Sequence, residues 1–376
     1  MEKLVKWLKT NGINMNKVEI KNAENNERKL VSKSKMDSDD IVMLLPRKLL
    51  IISSEIEKTE TGKKILSIFS SESELTKSII NLSVFMLFSM EDYDGYNTFF
   101  DPYFDTLPKN LCHIPIFWTK EELNYLKGSN ILIDIKNRIK TIRVEYNKLK
   151  REIDDFKIFS FYEYKRARSL VSSRNFKLNI DNNYTTALVP LADMLNHSSN
   201  ADTRWYYNSI KDGYEMKLKR NIKAKVEITD SYGSKENKSY FLYYGFLLED
   251  ANVKILVKTS NFSSYIDDKM DNYGIINLLN YLRKKFLIRE ETFTYGFVSI
   301  RNEKRVISEF IKLLNKMASK YSHGFSYYKK NKKYGSLNKK NAYKLLEMEL
   351  NIIESLLKKL NIIMKKLRGN NVKIKD

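Results

Sequence analysis

The chain has 376 residues, with 67 basic against 46 acidic side chains and a formal net charge of +21. Its 42% hydrophobic and 12% aromatic content excludes a disordered chain, and its length allows two or three domains with substantial cores. A single cysteine, Cys112, excludes an internal disulfide and a cysteine-built metal cage, and three scattered histidines argue against a zinc site.

The charge has two readings: an acidic partner such as nucleic acid or an anionic membrane, or compositional bias. Lysine, asparagine and isoleucine are raised throughout the chain and not gathered in one patch, which favours bias. Only residues 327–334 (YYKKNKKY) interleave aromatics with bases, too short a run to read as a specific nucleic-acid module. What remains of the charge argument suggests an acidic surface on a protein substrate. The longest apolar run, residues 78–90, is too short and interrupted to cross a bilayer and reads as a buried helix. The opening MEKLVKWLKTNGI lacks the apolar core of a signal peptide. The expectation is a soluble intracellular monomer, cytoplasmic or nuclear, with no membrane partner.

In chain order, Leu4-Val5-Lys6-Trp7-Leu8 followed by Asn11-Gly12 predicts a helix stopped by glycine. Short strands are expected at 18–20, 30–31 and 41–45, and an apolar helix at about 67–90. Leu132, Ile135, Ile139, Ile142, Tyr146, Leu149, Ile153 and Phe156 step by three and four. That spacing lays one apolar stripe along a helix of roughly 25 residues, about 38 Å. Beyond Ala251 the pattern is helical. Val306, Phe310, Leu313, Met317 and Tyr321 form one stripe, and Leu346, Leu350, Ile353, Leu357, Leu360, Met364 and Leu367 a longer one. The lysine-rich 325–341 between them reads as an exposed loop.

The most informative stretch is 187–199, ALVPLADMLNHSS, where an apolar run delivers Asn196-His197 to its end. RSLVSSRNF at 168–176 precedes it; EITDSYG at 227–233 and YYGF at 243–246 follow. In this order the segments resemble the SET-domain methyltransferases of the Rubisco large-subunit lysine methyltransferase and actin-histidine methyltransferase class. LPRKLLI at 45–51, FFDPYFDTLP at 99–108 and IPIFWTKEEL at 114–123 are further matches to that class.

The resemblance implies an α+β architecture: a β-rich SET domain with a pseudoknot, interrupted by a helical insert and followed by an all-helical C-terminal domain. Its expected limits are 1–98 and 166–250 for the two parts of the SET domain, 99–165 for the insert, and 251–376 for a substrate-binding domain. It implies S-adenosylmethionine as cofactor and methyl transfer to a protein lysine. The alternatives are a histidine acceptor or a catalytically silent binding scaffold.

By the same resemblance, Asn196 meets the methionine end of the cofactor, the His197 backbone meets the adenine edge, and the Tyr232 hydroxyl faces the transferring methyl. Tyr244 walls the cofactor or lysine channel, Arg174 lies on the cofactor side, and Phe176 lies on the channel side. Phe176 and Tyr244 favour lysine, because the histidine-methylating branch is polar at the Phe176 position. One departure stands out. Where the class carries Gly-x-Gly before an early strand, this chain has Glu27-Arg28-Lys29.

Overall fold

A computed structural model describes residues 1–22, 28–90, 98–293 and 295–369. The chain divides into two compact units, Met1–Leu111 with Ile139–Ser234, and Cys112–Arg138 with Lys235–Asp376. Of the Gly-x-Gly replacement, Glu27 lies outside the described residues; Arg28 and Lys29 open a strand.

Among its described residues the first unit holds ten strands. They are β1 (Val18–Asn22), β2 (Arg28–Ser32), β3 (Ile41–Pro46), β4 (Ile51–Ile52), β5 (Asn175–Ile180), β6 (Asn183–Leu188), β7 (Asn196–His197), β8 (Thr203–Asn208), β9 (Gly213–Leu218) and β10 (Glu227–Asp230). They make three small sheets, ordered β1-β2-β10-β7, β3-β9-β8 and β4-β6-β5. All pairings in them are antiparallel except one: β10 runs parallel to β7, with Thr229 opposite Asn196 and Asp230 opposite His197. The core between them is built from Leu30, Leu45, Leu188, Val189, Met216 and Ile228, all essentially inaccessible. Local chemistry sets the hairpins. Asp181 and Asn182 both take positive φ between the paired ends Ile180 and Asn183, the two-residue turn whose twist matches antiparallel strands.

Two helices back these sheets. Glu74–Met90, which contains the run read as a buried helix, packs against Phe161–Arg174. The latter starts on a capping box, in which the Ser160 side chain accepts the Glu163 N–H and Glu163 returns the contact. It stops where the Asn175 side chain donates to the carbonyls of Val171 and Ser172, and β5 begins at once. A buried ion pair ties this helix to Ile131–Glu152: Arg168 Nε donates to Glu145 Oε2 at 2.9 Å, and the Tyr164 hydroxyl donates to the same oxygen at 3.0 Å. The insert helix is shorter than its apolar stripe. It ends at Glu152, and Ile153 and Phe156 continue into a 3₁₀ turn. Phe156 and Phe159 are held there against Tyr146 and Tyr164, with the Tyr146 hydroxyl donating to the Phe159 carbonyl. Leu132 and Ile139 are only half-buried.

The second unit carries helices Asn237–Tyr244, Tyr273–Lys285, Ile300–Ala318, Phe325–Asn331 and Leu337–Gly369. It also holds a hairpin, β11 (Ile255–Lys258) with β12 (Ser263–Ile266), which helical periodicity did not reveal. The segment 325–341 is not a loop. Tyr328 is buried and packs edge-on against Tyr343 at 5.1 Å, which folds the stretch into a short helix and the start of the long one. In the long helix Leu356 is buried in place of Leu357 and, in Ile300–Ala318, Leu314 in place of Leu313. Glu349 lies in this interior, accepting from Ser129 Oγ at 2.7 Å and the Tyr321 hydroxyl at 2.9 Å. Gly128 has φ +103, and a Cβ there would meet Tyr321 at 2.7 Å, so the glycine admits that tyrosine. Among the described residues no helix is long and apolar enough to cross a membrane.

Candidate active site

The apolar run 187–195 is buried almost throughout and turns sharply at Leu191, whose φ is +72 and ψ −43. A fully buried, non-glycine residue in that region costs about 1–3 kcal/mol, and such strain concentrates where a loop must present particular groups. The 3₁₀ turn Ala192–Met194 follows, and then the two-residue strand β7. Two groups of polar residues are presented on either side of this turn.

The first surrounds Tyr232. Its main-chain N–H donates to Nδ1 of His197 at 3.0 Å, its hydroxyl donates to the Leu195 carbonyl at 2.8 Å, and the two rings lie 5.2 Å apart. Asn196 Nδ2 donates to the Arg28 carbonyl at 3.2 Å and to Glu227 Oε1 at 2.7 Å, which joins β7 to β2. Two residues before Tyr232, Asp230 accepts from Thr203 Oγ1 and Trp205 Nε1. Burial pushes the Asp230 carboxyl above its ordinary pKa, opposed by those hydrogen bonds. Trp205 in turn stacks on Tyr214 and meets the edge of Phe176 at 5.2 Å. Phe176 also meets Tyr214 at 5.6 Å, so these three rings form an apolar wall linked through Asp230 to Tyr232.

The second group was not anticipated as a unit. Asp193, whose side chain is 1% exposed, accepts the Tyr103 hydroxyl at 2.9 Å and lies 3.5 Å from Arg174 Nε, an ion-pair contact outside hydrogen-bond geometry. Arg28 adds a second guanidinium. Burial lowers its pKa, the Asp193 carboxylate raises it, and the Arg174 charge lowers it again. Burial raises the Asp193 carboxyl, opposed by Arg174 and Tyr103. Three buried atoms of the cluster have no hydrogen-bond partner: Arg28 Nη1, Arg174 Nε and Asp193 Oδ1. Each such atom costs about 1–3 kcal/mol, which a polar ligand would recover.

Arg174, Phe176, Asn196, His197 and Tyr232 therefore all lie in the first unit, linked through Arg28, Asp193, Trp205 and Asp230. Tyr244 falls in the second unit. It ends the helix Asn237–Tyr244 and packs against Tyr240 and Phe246, and the Gly245 that follows is left-handed. Sequence reasoning missed Asp193 and Tyr103, although an aspartate inside the apolar run and a tyrosine within FFDPYFDTLP were visible signals. It registered Arg28 only as the middle residue of the segment that stands where the class carries Gly-x-Gly. Among the described residues no group of three or more His, Cys, Asp and Glu side chains could hold a metal ion.

Residues 27–233, more than half of the chain, match the SET domain family model. The chain belongs to the SET-domain family. It is similar to proteins named actin-histidine N-methyltransferase. The one from Gallus gallus is 25% identical over 260 residues, 66% of this chain and 42% of that protein. The one from Xenopus tropicalis is 25% identical over 261 residues, 66% of this chain and 43% of that protein. The chain thus spans about two-fifths of the length of these relatives. Its fold is that of Rubisco LSMT. A structure of the LSMT SET domain bound to lysine and AdoHcy aligns with a TM-score of 0.77 and 20% identity over 99% of this chain and 95% of that one. One of Rubisco LSMT bound to AdoMet aligns at 0.78 and 20% identity, over 97% and 92%.

Proposed function

We propose that the chain is an S-adenosylmethionine-dependent protein methyltransferase whose acceptor is a lysine side chain. The observation that carries the reading is Tyr232, held at both ends. Its O–H is donated to the Leu195 carbonyl, which would turn the phenol oxygen as an acceptor towards a polarised methyl group. The buried, under-satisfied cluster of Arg28, Arg174 and Asp193 supports an amino-acid end of a cofactor at the same turn. Bound there, the cofactor would supply a methyl group on a sulfonium.

The chain's own residues then have little acid–base work. Their task would be to align a neutral amine in line with that methyl group and to let the amine's proton pass to water. The acceptor must arrive as a neutral amine. A free lysine has a pKa near 10.4, and an apolar channel beside a positive charge lowers it. The Phe176–Trp205–Tyr214 wall is suited to this, excluding water and orienting the lysine stem. In this reading Asn196 and Arg174 hold the methionine end, the His197 backbone the adenine edge, and Tyr232 the methyl. The protein substrate presents an acidic surface to a chain of net charge +21.

A second reading, a histidine acceptor, is favoured by the names of the curated relatives. The apolar wall favours lysine. Incubating the protein with methyl-labelled S-adenosylmethionine and candidate protein substrates, then hydrolysing to amino acids, separates them. Methyl-lysine supports the proposal, methyl-histidine supports the second reading, and binding without transfer to any acceptor indicates a scaffold.

A further inference from the structure

The middle residue of Glu27-Arg28-Lys29, which opens β2, brings a charge into the candidate site. Arg28 places a half-buried guanidinium beside Arg174 and Asp193, and its Nη1 is buried without a partner. Two guanidiniums face one carboxylate, while the Tyr103 hydroxyl adds a neutral donor. The cluster therefore holds more positive charge than it neutralises. Its unmet atoms are two cationic N–H groups, Arg28 Nη1 and Arg174 Nε, and one carboxylate oxygen, Asp193 Oδ1. That pattern is complementary to an α-amino-acid head group, whose carboxylate takes the two N–H groups and whose ammonium takes the oxygen.

We propose that Arg28 is a second guanidinium, beside Arg174, for the carboxylate of the cofactor's methionine end, with Asp193 Oδ1 receiving the ammonium of the same group. The inference rests on the reading of the site as a cofactor site. It assigns cofactor recognition to the Arg28 side chain, which lies between the two positions where the class carries glycine. A purely structural role, with Arg28 serving to balance Asp193, is the competing account.

Calorimetric titration of the full chain with S-adenosylmethionine and with decarboxylated S-adenosylmethionine isolates the carboxylate. The wild type is expected to prefer the first ligand by at least about tenfold, and Arg28→Gln to erase most of that preference by weakening only the first ligand. Equal affinity of the wild type for the two ligands overturns the proposal, as does an Arg28→Gln variant that keeps the full preference or loses both ligands alike. Thermal melts establish that the variant is folded. If it is not, Arg28→Lys keeps a cation without the planar fork, and is expected to lose about threefold or more of the preference; full retention overturns the proposal. A wild type that binds neither ligand defeats the cofactor reading itself, an outcome distinct from failure of Arg28 alone.

Discussion

His197 and Tyr232 are joined by a hydrogen bond in which the main-chain N–H of Tyr232 donates to Nδ1 of His197 at 3.0 Å. An accepting Nδ1 carries no proton, so the imidazole places any N–H on Nε2. The contact crosses from the end of β7 to the residues following β10, and the parallel pairing of Asp230 with His197 lies beside it. The histidine thus acts on the tyrosine's backbone while the Leu195 carbonyl acts on its hydroxyl at 2.8 Å.

The first prediction follows from that double anchoring. Tyr232→Phe keeps the ring and removes the hydroxyl, costing about 1 kcal/mol of stability through the lost bond to Leu195. Single-turnover methyl transfer should fall by at least about tenfold, roughly 1.4 kcal/mol of transition-state stabilisation. Affinity for S-adenosylhomocysteine should change far less, because the contact matters mainly in the transition state. Unchanged single-turnover chemistry in the folded variant removes Tyr232 from the mechanism.

Arg168, in the same motif as Arg174 and Phe176, has a different task. Its guanidinium pairs with Glu145 between two helices, at side-chain exposures of 9% and 6%. Glu145→Ala removes the carboxylate that faces a buried guanidinium and the Tyr164 hydroxyl, and should destabilise the protein by about 3–5 kcal/mol. Urea denaturation of Glu145→Ala and of an apolar double replacement of Glu145 and Arg168 checks the origin of the loss. The double variant should recover much of it; equal destabilisation of both would refute the unpaired-charge explanation.

Glu349 gives the second unit a pH dependence. Burial, opposed by hydrogen bonds from Ser129 and Tyr321, pushes its carboxyl up to about 7. A raised pKa means that the folded state holds the proton more tightly than the unfolded chain, whose glutamate titrates near 4.3. Stability from this group is therefore fully present below the unfolded pKa, is lost as pH rises towards about 7, and is level above it. Melting temperature should fall between pH 5 and pH 7.5, and Glu349→Gln should flatten that slope. An equally steep slope in Glu349→Gln would place its origin elsewhere.

The fold class was legible because motif order survived where local similarity did not. Residues 187–199 carry an apolar run, a strained turn and a polar pair, and only a chain ending at a site spends sequence in that way. The strands β1, β2 and β3 and the helix Glu74–Met90 were likewise visible in pattern. Periodicity could not show the hairpin β11–β12, whose four-residue strands are too short to declare alternation. It also missed the short helix Phe325–Asn331, because lysines masked the one buried tyrosine, Tyr328, that folds it. The Arg28–Asp193–Tyr103 cluster was illegible for another reason. Its members lie 90 and 165 positions apart in the chain, and no spacing rule reports such a meeting.

The central claim is that the turn 187–197 and Tyr232 form a cofactor site, and its most direct test is calorimetric titration of S-adenosylmethionine into the wild-type chain. The account predicts saturable one-to-one binding, displaced competitively by S-adenosylhomocysteine, since the same amino-acid and adenosine groups occupy the site in both. A folded protein that gives no binding heat across a range of temperatures, and no change in melting temperature with millimolar cofactor, would contradict it.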